Sequence, residues 1–180
     1  ASGSGKSTLL RTLAGIWPYG SGRVTLPAGS RVLFLPQRPY LPLGTLRQAL
    51  AYPQTAAAAG SQQAMEAALH DVGLGRLASC LDQTDDWSRI LSLGEQQRLA
   101  VGRALINRPQ VLFLDEASSA MDEGLEHAMY RLLRDELPEA VLISVGHRST
   151  LLEFHTHELE VLGEGKWRVQ PLQAVSEARA

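Results

Sequence analysis

At 180 residues the chain suits one domain with a real core, and its 44% hydrophobic and 20% charged content is ordinary for a globular protein. A net charge of −2 gives no electrostatic reason to expect nucleic acid as the main partner, and a single cysteine, Cys80, excludes an internal disulfide and fits a reducing compartment. No apolar run approaches the roughly 18 residues of a membrane-spanning helix and no signal peptide is visible, so this stretch is expected to be soluble.

The chain opens on Ala1-Ser2-Gly3-Ser4-Gly5-Lys6-Ser7-Thr8, the end of a phosphate-binding P-loop of the form G-x-x-x-x-G-K-[ST]. Ser2, Gly3, Ser4 and Gly5 would turn backbone N–H groups toward phosphate oxygens. Lys6 would bring a positive charge, and Ser7, with Thr8 beside it, a hydroxyl for Mg2+ at a helix N-terminus. The motif's first glycine and the strand that feeds the loop would precede Ala1. A fragment cut inside its own nucleotide site is therefore expected, with weak or no ATP turnover by residues 1–180 alone. A flexible Gly/Ser segment has a similar composition, but Leu9, Leu10, Leu13 and Ile16 fall on one helical face, as a buried P-loop helix requires.

Trp17-Pro18-Tyr19-Gly20 stops that helix, and Arg31–Leu35 reads as a short apolar strand buried on both faces of a parallel sheet. Pro36 to Pro42 is too proline-rich for a central strand, with Tyr40 expected to pack within the loop. Thr45 and Gln48 form a capping box for a short helix, and the alanine-rich 54–60 stretch is a loop. Ser61 to Leu81 has a helical pattern, with Met65, Ala68, Leu69 and Val72 as its stripe and Gly73 as a C-cap. Val111–Leu114 and Val141–Val145 read as buried strands joined by a helix over 123–137, a βαβ unit, and 158–162 with 167–169 as a closing hairpin. Cys80 is expected to be a small buried hydrophobe, and His155, His157 and Glu158 have metal-like spacing but nothing to complete a ligand set.

Asp115-Glu116 places two carboxylates at the end of an apolar strand, where ligands of open α/β sheets bind. Asp115 is placed to hold Mg2+ and Glu116 to polarise a water beside the γ-phosphate, although an acidic pair after a strand is often a helix cap. Ser92 and Glu95 form a capping box for a helix running to Ile106, and Gly94 in its first turn suits a close backbone approach, such as one to phosphate.

Leu91-Ser92-Leu93-Gly94-Glu95-Gln96 resembles the L-S-G-G-Q signature of ATP-binding cassette (ABC) ATPases, in the family's order between P-loop and acidic strand. Gln37 resembles the family's Q-loop glutamine, Ser119-Ala120-Met121-Asp122 its D-loop, and His147 its switch histidine. The likeness runs to about Leu162. Leu13-Ala14-Gly15-Ile16-Trp17-Pro18, Leu35-Pro36-Gln37-Arg38-Pro39-Tyr40 and Ser144-Val145-Gly146-His147-Arg148 look like the branch with a fused permease: bacterial importers of peptides and vitamin B12 and, more distantly, peroxisomal fatty-acyl-CoA transporters. Leu93 and Glu95 depart from the usual signature, and the family's adenine-stacking aromatic would lie upstream.

The resemblance implies an α/β P-loop NTPase fold, N-terminally truncated, with a parallel-sheet core (1–44 and 108–170) and a small helical lobe (about 45–107). It implies ATP and Mg2+ as ligands, with the metal held by Ser7, Gln37 and Asp115. Glu116, His147 and Gln37 would serve hydrolysis. Ser92, Gly94, Glu95 and Asp122 would meet nucleotide held by a second copy in a head-to-tail dimer, likewise implied. The implied whole is the motor of a membrane transporter at the cytoplasmic face of a membrane, such as the bacterial inner membrane, docked on a transmembrane permease domain. A soluble ABC ATPase acting on nucleic acid or ribosomes is the alternative, disfavoured by the charge; a non-catalytic nucleotide-binding module is disfavoured by the intact Lys6, Asp115, Glu116 and His147.

Overall fold

The computed structural model describes residues 5–58, 60–163 and 165–172. Gly5, at φ 84°, takes the left-handed backbone that favours glycine and turns the chain into α1 (Lys6–Leu13). Gly15, at φ 75°, ends that helix: its N–H reaches Thr12 O and that of Ile16 reaches Arg11 O, the bond pattern of a Schellman cap. Ile16 therefore lies past the helix and is exposed, as is Leu9, so the expected four-residue apolar face reduces to buried Leu10 with Leu13 beside it.

The remaining elements are β1 (Val32–Pro36), β2 (Gly44–Thr45), α2 (Leu46–Ala51), α3 (Gln62–Asp71), a 3-10 turn (Gly75–Cys80), β3 (Thr84–Asp85), α4 (Trp87–Ile90) and α5 (Leu93–Asn107). They continue with β4 (Val111–Asp115), α6 (Glu123–Glu136), β5 (Val141–Val145), a second 3-10 turn (Ser149–Phe154), β6 (His157–Gly163) and β7 (Lys166–Pro171). The helical stretch expected over 61–81 breaks in two. Gly73 at φ 69° donates to His70 O while Leu74 donates to Leu69 O, a second Schellman cap that stops α3, and the chain tightens into the 3-10 turn. The hairpin β6–β7 is longer than expected, with a register shift between Val161 and Gly163.

β1, β4 and β5 form one parallel sheet in the order β1-β4-β5, with Pro36 level with Asp115 and Asp115 level with Val145. That register brings all three strands out at one height, so Gln37, Glu116 and the Gly146-His147 pair leave the sheet side by side. One face, with Leu33, Leu35, Leu112, Leu114 and Leu142, joins the large apolar cluster under α5 and α6; Val111 and Phe113 face Leu10 of α1. Only central β4 is buried along its whole length. β1 alternates between buried and half-buried residues, and in β5 only Leu142 is buried while Val141 is exposed. The continuously buried strands expected on either side are thus half-buried ones: each pairs with β4 on one side, and α1 is the helix over the second face.

α5 also secures α2. A helix's last carbonyls lack intrahelical donors. Here Arg103 Nε donates to Ala49 O at 2.6 Å, and Asn107 Nδ2 to Ala51 O and Tyr52 O, each at 3.2 Å. The Arg103 guanidinium lies over the Tyr52 ring, and burial pushes its pKa down to about 10. Tyr40 is exposed and meets Tyr52 edge-on at 5.3 Å, while Cys80 is half-buried against the core. No helix among the described residues is long and apolar enough to cross a membrane.

Candidate functional site

The site grows from the end of β4. Asp115, its last residue, is 2% exposed, and a carboxylate that deep needs partners. Ser7 Oγ donates to its Oδ1 at 2.6 Å, and Arg11 Nη2 approaches Oδ2 at 3.2 Å. Both come from α1: Ser7 and Arg11 are one helical turn apart and so share a face. Sequence reading linked Ser7 to Asp115 but gave Arg11 no part; the i, i+4 spacing from Ser7 was the available signal.

Glu116 leaves the strand at φ 51°, a left-handed conformation that non-glycine residues rarely adopt and that collects at functional sites. Its own N–H still donates to Val145 O at 3.0 Å, so the turn is anchored to β5 while the side chain swings clear. The carboxylate lies between two partners: Gln37 Nε2 donates to Oε2 at 3.1 Å, and His147 Nε2 is 2.9 Å from Oε1. The three residues read as catalytic thus meet on one carboxylate. Beside them lies a cavity of about 130 Å³ lined by Glu116, Ser118, Ser119, Glu126, His147 and Arg148, room for several waters at roughly 30 Å³ each.

Arg148, one residue beyond His147, was not given a part by the sequence. Its guanidinium donates to Met121 O at 2.8 Å and meets the buried carboxylate of Glu126 at 3.0 Å, while Ser118 donates to that same carboxylate. The segment after β5 is thereby pinned to the turn before α6. Asp122 caps α6, accepting from Leu125 N at 2.9 Å.

Ser92, Gly94 and Glu95 lie apart, at the N-terminus of α5. Ser92 is the N-cap, with a complete capping box to Glu95, whose carboxylate also takes an ion pair from Arg76. Burial pushes the Glu95 carboxyl up, but hydrogen bonds from Arg76 and Ser92 together outweigh it and leave it below the usual carboxylate range. The close neighbour of Gly94 is Ala120 O, which a Cβ on Gly94 would approach to 3.1 Å, so in this structure the glycine admits backbone where phosphate contact was expected. Lys6 and Ser7 form the first turn of α1, Gly5 is its N-cap, and the Thr8 carbonyl accepts from Thr12 Oγ1. Ser2, Gly3 and Ser4 fall outside the described residues.

As a Mg2+ site, the Ser7 hydroxyl and Asp115 carboxylate fit: both are hard oxygen donors, held together at the start of a helix that also carries Lys6. Gln37 is turned instead to Glu116 through its Nε2. No group of three or more His, Cys, Asp or Glu among the described residues could hold a metal. In place of the metal-like spacing, His155 is satisfied by Leu151 O and Ser144 Oγ.

The profile of the ABC transporter family matches residues 1–119. An uncharacterized ABC transporter ATP-binding protein of Haemophilus influenzae is 53% identical over 168 residues, covering 93% of this chain and 28% of its own length. The ATP-binding cassette sub-family D member 3 of Mus musculus is 35% identical over 178 residues, 95% of this chain and 27% of its own. Among solved structures, a bacterial Atm1-family ABC exporter with ATP bound superposes with a TM-score of 0.72 at 27% identity, covering 88% of this chain and 30% of that one. The chain thus spans under a third of these relatives. The profile match over most of the chain, together with a parallel sheet that delivers Asp115 and Glu116 beside α1, means that this chain belongs to the ABC transporter family.

Proposed function

We propose that this chain is the ATP-binding and ATP-hydrolysing motor of a membrane transporter, working at the cytoplasmic face of the membrane with a transmembrane permease domain. The observation that carries the reading is the pair at the end of β4: Asp115 held by Ser7 and Arg11, and Glu116 held between Gln37 and His147. A relative named as an ATP-binding protein and a structural neighbour titled as an exporter with ATP bound support it.

Lys6 and the N–H groups opening α1 would receive the β- and γ-phosphates of ATP, since a helix N-terminus and a lysine both favour the anion. Ser7 and Asp115, with Gln37, would hold Mg2+, which supplies charge neutralisation to the phosphates. Glu116 would accept a hydrogen bond from the attacking water, with His147 fixing the carboxylate's direction and taking its share of the developing charge. Water adds to the γ-phosphorus as its bond to the bridging oxygen breaks, giving ADP and phosphate. Positioning and electrostatics do most of the work in such reactions. Ser92, Gly94, Glu95 and Asp122 serve a second nucleotide site, held by another copy of the domain in a head-to-tail dimer whose opening follows hydrolysis.

The test is ATP turnover by the full-length protein in lipid vesicles, with and without Mg2+. Mg2+-dependent phosphate release, abolished by Lys6→Ala, is expected; ATP binding without turnover would reduce the reading to a nucleotide-binding module.

A further inference from the structure

We propose that Gln97 is a positioning residue that ties the N-terminal part of α5 to both flanks of Glu116, so that movement of Ser92 and Gly94 is felt at the hydrolytic carboxylate. The inference rests on the proposed ATPase reading and adds to it a residue that touches neither nucleotide nor water.

Gln97 is completely buried, and its amide is fully engaged. Nε2 donates to Gln37 O at 2.8 Å and to Ser119 Oγ at 3.1 Å, and Oε1 accepts from Ala120 N at 3.0 Å. The partners fix the orientation, because a carbonyl can only accept and a backbone N–H can only donate. One side chain therefore joins three chain segments. Gln37 carries on its side chain one of the two side-chain bonds to the Glu116 carboxylate, and Ser119 and Ala120 follow Glu116 within one turn, with Ser119 N itself bonded to Glu116 O at 3.1 Å. Ala120 O in turn is the close neighbour of Gly94.

The other buried polar residues of α5 have a different task. Arg103 and Asn107 face α2 and cap its carbonyls. Gln97 faces the flanks of Glu116 alone. A helix shift that moves Ser92 must carry Gln97 with it or strand its buried amide, and buried donors left unmade are costly even where their former partners, on exposed residues, can turn to water. The cheaper course is for Gln37 and the 119–120 turn to follow, which changes the reach of Gln37 Nε2 to Glu116.

The experiment compares Gln97→Met, close in volume but unable to hydrogen-bond in this way, and Ser119→Ala, which removes one acceptor, in the full-length protein in vesicles. Turnover is expressed per nucleotide-binding molecule, counted with a fluorescent ATP analogue. Gln97→Met is expected to lower kcat about tenfold or more with KM for Mg·ATP unchanged within about twofold, the signature of an interaction that acts at the chemical step. Ser119→Ala is expected to lower kcat by a smaller factor with no loss of melting temperature, and the double variant to be no worse than Gln97→Met. If Gln97→Met fails to fold, Ser119→Ala alone decides: an unchanged kcat overturns the inference. A full kcat per binding-competent molecule in Gln97→Met also overturns it, leaving Gln97 a core amide. Absence of turnover in the unaltered protein would instead overturn the ATPase reading and this inference with it.

Discussion

His147 Nε2 lies 2.9 Å from Glu116 Oε1, joining the segment that leaves β5 to the residue that leaves β4. The contact exists because the two strands are in register, Asp115 level with Val145, and because Glu116 turns out at φ 51° and so does not continue the strand. A carboxylate fixed on one side by an imidazole and on the other by Gln37 has a set direction, which a general base or water-orienting group needs before its proton affinity matters.

Glu116→Gln keeps the shape and an acceptor for Gln37 but removes the charge. Turnover is expected to fall by roughly 10²–10⁴-fold, the scale of losing a general base, with ATP affinity retained. In saturating Mg·ATP the variant is expected to accumulate as the ATP-bound dimer. Light scattering with nucleotide quantification checks this, and a monomer would count against both the role of Glu116 and the dimer.

Asp115 and Arg11 separate charge from structure. Asp115→Asn keeps an acceptor for Ser7 at this buried position and leaves Arg11, which is 44% exposed in its side chain, free to turn to water, so stability should change by about 1 kcal/mol, the scale of one hydrogen bond. Turnover should fall by roughly 10²-fold or more, because an electrostatic group is lost where phosphate charge develops. Arg11→Ala should lower the Mg2+ concentration needed for half-maximal rate, since the guanidinium competes with the metal for Asp115. A Mg2+ titration of the two variants checks both statements.

How much of this could be read beforehand differs from residue to residue. Asp115 and Glu116 were legible because they end an apolar strand, whereas Gln37 and His147 were legible only through their resemblance to family motifs; the level ends of the parallel strands then bring Gln37, Glu116 and His147 together. Gln97 and Arg148 were not legible, because their roles depend on which turns end up opposite them, and a side chain reaching a backbone carbonyl leaves no pattern in a sequence; Arg11 left only its i, i+4 spacing from Ser7. Strand burial was overread in β5: Val141-Leu142-Ile143-Ser144-Val145 is apolar enough for a central strand, yet its place in the sheet leaves Val141 exposed. Helix ends were legible where Gly73 stood but not at Gly15, whose cap removed Ile16 from the expected face.

The Arg148–Glu126 pair predicts an asymmetry. Glu126 is 3% exposed, whereas the Arg148 side chain is 36% exposed, and their charges meet at 3.0 Å without the alignment of a hydrogen bond. Arg148→Met strands a buried carboxylate and should cost roughly 3 kcal/mol, the lower end of the range for breaking a buried pair. Glu126→Gln keeps an acceptor for Ser118 and lets Arg148 reach water, so it should cost less, about 1 kcal/mol. The double variant should recover most of the loss of Arg148→Met. Unfolding of the purified proteins in denaturant measures all three, and equal costs for the two single changes would show that the carboxylate is not truly desolvated.

His155 predicts the pH dependence of stability. Nδ1 must carry the proton donated to Leu151 O, at 2.8 Å, because a carbonyl can only accept; Nε2 can then accept from Ser144 Oγ at 2.9 Å. The neutral ring is thus fully satisfied, packed beside Tyr130 at 6.0 Å between centroids. Burial lowers its pKa first of all, the bond to Leu151 opposes that, and the nearby Arg134 charge lowers it further. The folded pKa therefore lies below the unfolded value of about 6.5. Between those two values the unfolded chain binds more protons than the folded one, so stability rises with pH across that window and falls as pH drops from about 6.5 toward the folded pKa. Above about 6.5 both states are neutral at this residue and it contributes no slope. His155→Gln preserves hydrogen-bonding capacity but cannot titrate, and should flatten the acid side of the melting-temperature profile below pH about 6.5 while leaving the slope above it unchanged. An identical acid slope in the variant would place the proton uptake on another group.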